Sequence, residues 1–98
     1  MTDATPTPEE ALAAVRARMA DHIAAALACL GDITDPVARE RAARALGEEL
    51  LPDAVKRTKA VRGGAVQELR AERGLKLREV AELLDLSVPR VDQLAKGK

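Results

Sequence analysis

The sequence predicts an all-α protein: an N-terminal helical hairpin, then a long helix that leads into two short C-terminal helices. Three observations predict it. Of 46 hydrophobic positions, 20 are alanine and 23 are Leu, Ile or Val, and alanine is the strongest helix former and a poor strand residue. Larger apolar residues recur at spacings of three and four, with no alternation long enough to mark a strand. Proline and glycine punctuate the chain in the order expected of helix starts and stops. At 98 residues there is room for one small domain, which buries only about 60 to 65% of its unfolded surface. The expected core is thin, and a large enzyme is excluded.

Residues 1–6 are polar and read as a disordered lead-in. Thr7-Pro8-Glu9-Glu10 then opens a helix, with Thr7 as N-cap, Pro8 at the first position where its missing N–H costs nothing, and Glu10 closing a capping box. Leu12, Val15, Met19, Ile23, Ala26 and Leu30 form an apolar stripe over residues 8–30, and Gly31 ends the helix. Asp35-Pro36 repeats the cap-plus-proline start. Val37, Ala38, Arg41, Ala42, Ala45, Leu46 and Leu50 continue a second helical face to Leu51, where Pro52 stops it. Asp53 caps a third helix with Ala54, Thr58, Val61, Ala65 and Leu69 as its inner face and Gly74 as its C-cap. Gly63-Gly64 lies mid-stretch as a kink or hinge, costing about 2 kcal/mol of helix propensity relative to alanine; one helix or two fit residues 53–73. The expected organisation is a helical oligomerisation module over 7–51 and a basic module over 53–98.

Charge divides the same way. Sixteen basic and sixteen acidic residues cancel overall, which argues against a generic polycation. Residues 1–51 nevertheless hold nine acids and five bases, and residues 52–98 hold seven acids and eleven bases. Eight of those bases fall between Lys56 and Arg78, against only Glu68 and Glu72. The imbalance points to an acidic assembly module joined to one that meets an anion. With no Phe, Tyr or Trp, aromatic platforms for RNA or single strands are excluded.

A single cysteine, Cys29, cannot form an internal disulfide, and its alanine-rich surroundings predict a small buried thiol in a reducing compartment. The N-terminus has no basic or apolar leader and no run approaches a membrane span, so a cytoplasmic location without membrane partners is expected. His22 and Cys29 lie seven residues apart on one helix and read as core or interface packing, because two ligands are too few for structural zinc. One histidine, one cysteine and one serine assemble no catalytic triad, and Gly63-Gly64 lacks the Lys-Ser/Thr of a phosphate loop. No catalytic residue, metal, cofactor or small-molecule effector is expected.

The specific signal lies in residues 77–94. Two short helices joined by a tight turn pack at a steep angle only if a small residue sits at the crossing and apolar residues fill both inner faces. Here Val80 and Leu84 line the first helix, Ala81 is the small residue, Leu86 plugs the turn, and Val91 and Leu94 face inward from the second. Ser87, the only serine, stands where an N-cap must accept from the N–H of Arg90. This segment resembles the helix-turn-helix DNA-binding proteins, and its motif is similar to region 4 of sigma factors, over residues 65–97. One departure is Asp85, where the family usually has glycine. Aspartate adopts a left-handed backbone less easily, so a slightly altered turn is expected.

The resemblance implies that residues 88–96 form a recognition helix that enters the major groove by its N-terminal end. Base contacts then fall to Val88, Pro89, Arg90 and Gln93: Gln93 bidentate to adenine, Arg90 to guanine or phosphate, Val88 and Pro89 to a thymine methyl. Asp92 either accepts from cytosine or, the preferred reading, is an exposed acid that restrains Arg90 or repels wrong sequences. Lys59, Arg62, Arg70 and Arg73 fall within about 80° of one another on an ideal helix. With Lys76, Arg78, Ser87 and Lys96 they are the expected phosphate contacts; the alternative is a solvated face paired with Glu68 and Glu72.

A lone helix-turn-helix contacts few base pairs, so two copies on one duplex are expected. Leu12, Val15, Met19, Ile23, Leu27, Leu30, Leu46 and Leu50 are the expected homodimer interface. The expected function is a small dimeric sequence-specific binder of double-stranded DNA, a transcriptional regulator on the nucleoid. The alternatives are an adaptor that holds a sigma factor, toxin or partition component by its N-terminal helices, and a nucleoid-type binder that reads DNA shape.

Overall fold

The computed structural model of the protein describes residues 5–98, and among these every regular element is helical. They are α1 (Pro8–Gly31), α2 (Pro36–Ala45), a π-helical segment (Leu46–Leu50), α3 (Leu51–Glu72), α4 (Leu77–Leu84) and α5 (Val88–Ala95). The expected lead-in over 1–6 falls mostly outside the described residues; Thr5 and Pro6 are non-helical and exposed. The chain divides into two compact units, Met1–Ala45 and Leu46–Lys98.

In the first unit, local chemistry sets both helix starts. The Thr7 hydroxyl accepts from the Glu10 N–H at 3.1 Å, with Pro8 in the first turn. The Asp35 carboxylate accepts from the Ala38 N–H at 2.9 Å. α1 stops at Gly31 as expected, without a left-handed φ there; Asp32 caps it in a right-handed conformation, its N–H donating to the carbonyls of Cys29 and Leu30. Neither α1 nor α2 has a buried residue. Cys29 is exposed and so is His22, so the expected buried thiol and the core-packing half of the reading for the pair are corrected, because the described residues of this unit enclose no interior in one copy.

Pro52 does not stop a helix. No non-helical residue separates α2, the π segment and α3. A proline inside a helix removes one N–H and its ring clashes with the carbonyl four residues back. Widening the preceding turn to i→i+5 pairing spares that carbonyl, and the π segment stands directly before Leu51-Pro52. Asp53 therefore has no cap to form. Its carboxylate pairs instead with the Arg57 guanidinium at 2.9 Å, one turn on.

The second unit has a small apolar core of Val66 from α3, Val80 and Ala81 from α4, and Val91 and Leu94 from α5, with Leu69, Leu75, Leu77, Leu86 and Ala95 packed around it. Two expectations are corrected here. α3 runs unbroken through Gly63-Gly64, and its buried face is Gly63 and Val66, not the expected stripe. Ala54, Thr58, Val61 and Ala65 are exposed, Val61 to 73%, and only Leu69 of that set is half-buried. Leu84, expected inside, is 40% exposed. The face is rotated because α5 approaches α3 at Gly63: a Cβ there would lie 2.5 Å from the Leu94 carbonyl oxygen, so only glycine fits. Gly74 then ends the helix with φ 64°, and the Leu75 N–H donates to the Leu69 carbonyl at 3.4 Å.

Candidate nucleic-acid interface

The α4–α5 connection consists of Asp85, Leu86 and Ser87. Asp85 takes the left-handed conformation, φ 55° and ψ 47°, and its N–H donates to the carbonyls of Ala81 and Glu82. Leu86 follows, half-buried, with its N–H on the Ala81 carbonyl at 3.0 Å. The Ser87 hydroxyl accepts from the Arg90 N–H at 3.2 Å and starts α5, with Pro89 in the first turn. At the start of α4, the Glu79 carboxylate accepts from the Lys76 N–H at 2.9 Å.

α5 docks on the rest of the unit by Val91 and Leu94, both almost fully buried. The Gln67 side chain fastens its far end, donating to the Ala95 carbonyl at 2.8 Å. The opposite side of α5 faces outward: Val88, Pro89, Gln93 and Lys96 are exposed, and Arg90 and Asp92 are half-buried on the flanks. The Asp92 carboxylate does not restrain Arg90. It pairs with Lys96 at 2.8 Å, while Arg90 Nη1 donates to Gln93 Oε1 at 3.4 Å.

The basic stripe has a definite relation to the core. Lys59 and Arg62 lie seven and four residues before Val66, and Arg70 and Arg73 lie four and seven after it. At 100° per residue, the stripe is therefore centred on the residue of α3 that is 1% exposed. All four bases are exposed. They flank the contact with α4 and α5, two on each side, instead of occupying the far face of α3. Among the described residues the ion pairs are Arg44–Glu40, Arg57–Asp53 and Lys96–Asp92, so the alternative pairing of the stripe with Glu68 and Glu72 is not formed. Lys76 and Arg78 are exposed at the start of α4, where unsatisfied N–H groups add to the positive potential.

Sequence reasoning missed three residues. Lys56 and Lys98 join Lys59 around a groove of about 200 Å³ beside Leu94 and Gly97. Lys56, one turn before Lys59 on the same helix, was detectable from spacing; Lys98 was not, because its position depends on how α5 ends. Gln67 is the third, and its role follows from a contact 28 residues distant in sequence.

The expected dimer residues lie on the first unit and the π segment. Leu12, Val15, Met19, Ile23, Leu27 and Leu50 are exposed, Leu12 to 60% and Ile23 to 57%, and Leu30 and Leu46 are half-buried. No described helix is long and apolar enough to cross a membrane. This chain matches no protein-family model, no curated protein and no solved structure.

Proposed function

We propose that this chain is a small dimeric, sequence-specific binder of double-stranded DNA that acts as a transcriptional regulator in the cytoplasm, on the nucleoid. In this reading α4 and α5 are a helix-turn-helix, and α5 enters the major groove by its N-terminal end. The observation that supports it best is the combination at residues 85–94: a left-handed Asp85, a Ser87 cap and an inner face sealed by Val91 and Leu94. Together they hold Val88, Pro89 and Gln93 outward on a rigid short helix. The bases that flank Val66 then serve as phosphate contacts, which fix register and bring salt-sensitive affinity without reading sequence.

Dimerisation is argued from α1 and α2. Helices this rich in exposed Leu, Ile, Val and Met, with nothing buried, draw little stability from propensity alone and need an apolar face to pack against. A second copy supplies the same stripe and sets the spacing of two recognition helices on one duplex. The same uncovered stripe also suits a different protein, which is the adaptor reading.

Selection from randomised duplex DNA tests the proposal, followed by titration of the winner against scrambled DNA at two salt concentrations. The expected result is an inverted repeat with half-sites about 10 bp apart, bound at least about a thousandfold tighter than scrambled DNA. Equal affinity for both overturns it. Replacing Arg90 and Gln93 by alanine separates the readings: DNA binding is lost if the chain is a regulator, and partner capture is untouched if it is an adaptor.

A further inference from the structure

The far end of α5 is set down on a basic part of α3. A Cβ at Gly63 would lie 2.5 Å from the Leu94 carbonyl oxygen, so the last turn of α5 rests on the α3 backbone there. Lys59 and Lys56 stand four and seven residues before Gly63, which puts both within about 40° of it on the helix surface. A third lysine is brought in by the way α5 ends. Gly97 takes φ 78°, its N–H donates to the Leu94 carbonyl at 3.2 Å, and the Lys98 N–H donates to the Gln93 carbonyl at 2.8 Å. These two bonds make a Schellman ending, which turns the chain back. Lys98 thereby joins Lys56 and Lys59 around the groove of about 200 Å³ whose other lining is Ala60, Leu94 and Gly97.

Three ammonium groups meet at this groove and no carboxylate does. Among the described residues none of the three has an ion-pair partner. The acids nearest to them along the chain, Asp53 and Asp92, pair with Arg57 at 2.9 Å and with Lys96 at 2.8 Å. Nor does the end of α5 depend on the lysines for its capping: the carbonyls of Gln93 and Leu94 accept from the Schellman N–H groups, and that of Ala95 accepts from Gln67 at 2.8 Å. A second basic groove, lined by Arg70 and Lys96, differs in that it also contains Asp92, to which Lys96 is bound. Like charges gathered at one groove repel, and an anion between them relieves that repulsion.

We infer that Lys56, Lys59 and Lys98 form a binding site for phosphoryl oxyanions, set apart from the base-reading end of α5. Val88 and Leu94 are six residues apart, about 9 Å of helix. Each ammonium group meets phosphate as a point charge with three donors. The chain has no aromatic side chain on which a base could stack, so the groove reads charge and not a base. The inference rests on the DNA-binding reading for the source of the phosphate: it is the duplex backbone, held beyond the bases that the start of α5 meets. Lys56 and Lys98 then extend the expected phosphate contacts, among which Lys59 already stands. A free oligophosphate has the same chemistry, and the experiment separates the two sources.

The test replaces two exposed residues together, Lys56→Gln with Lys98→Gln, in the full chain, and measures how affinity for the selected duplex depends on salt. Each lost phosphate contact reduces the steepness of log K against log salt concentration by about 0.9, so a drop of about two is expected. The selected motif stays the same, because phosphate contacts weaken binding evenly across sequences, and arginine at both positions restores the slope. In parallel, inorganic pyrophosphate is titrated and followed by amide shifts. Gly97 and Lys98 are expected to respond saturably in the unaltered chain and not in the double variant. An unchanged salt slope with that response upholds the site and assigns it to free phosphate. An unchanged slope with no response at Gly97 and Lys98, or with one spread evenly over all the lysines, overturns the inference and leaves sequence-specific binding standing. If no duplex motif is enriched, the DNA-binding reading falls, and the pyrophosphate response alone decides for or against this site.

Discussion

The two units of this chain use similar residues to opposite ends. Met1–Ala45 has a long helix with Leu12, Val15, Met19, Ile23 and Leu27 on its surface, and none of its described residues is buried. Leu46–Lys98 has no larger side chains to work with, yet Val66, Val80, Val91 and Leu94 are almost wholly enclosed. The difference is geometric. Three helices meet around a glycine and an alanine in the second unit, so their backbones come close enough for valines to seal the gap. Two helices alone leave one side of each stripe to be covered from outside. In the second unit the apolar residues build a core; on the proposed reading, those of the first serve association.

That contrast is breakable by substitution, and the largest effect is expected in the core. Leu94→Ala should destabilise the second unit by about 3 kcal/mol through lost burial and the cavity left behind, at any protein concentration. Ile23→Asp, on the exposed stripe, should leave the unfolding of that unit unchanged and weaken self-association instead. Denaturant unfolding at two protein concentrations, set beside sedimentation, separates the two outcomes. If Leu94→Ala were harmless, the C-terminal core would have been misplaced.

The adjacent glycines sharpen it further. Gly63→Ala drives a methyl to 2.5 Å from the Leu94 carbonyl and should cost about 2 kcal/mol by overpacking. Gly64 has open space at the same radius, and Gly64→Ala should stabilise by about 0.5 to 1 kcal/mol through helix propensity. Opposite signs at neighbouring positions are the expected reading of two melting curves. The smallest effect belongs to the caps. Ser87→Ala removes an N-cap inside the cooperative unit and should cost about 1 kcal/mol in global unfolding, whereas Thr7→Ala should only fray the start of α1, visible in amide exchange and not in the unfolding midpoint.

These pairs also mark what the sequence made legible. The caps at Thr7, Asp35 and Ser87 could be read because a capping side chain acts within three residues of itself. Val80, Ala81, Val91 and Leu94 could be read because helix spacing brings them onto facing sides. The inner face of α3 could not. Val61 and Ala65 look more apolar than Gly63, and nothing local announces that the backbone of α5 comes to rest on a glycine thirty-one residues earlier in the chain. Pro52 misled for a related reason, since a π turn absorbs the missing N–H without breaking the helix. On the candidate interface, the outward positions of α5 followed from periodicity. The pairing of Asp92 with Lys96, not Arg90, depended on side-chain direction, which spacing alone leaves open.

The most direct test of the division of labour is the mass of the complex formed on the selected duplex, measured by sedimentation for the full chain and for Ile23→Asp. The account predicts two chains per duplex for the former. For the latter it predicts one chain bound about a hundredfold more weakly, as expected when a second contact is no longer held at high effective concentration. One chain per duplex in both cases, with equal affinity, would contradict it.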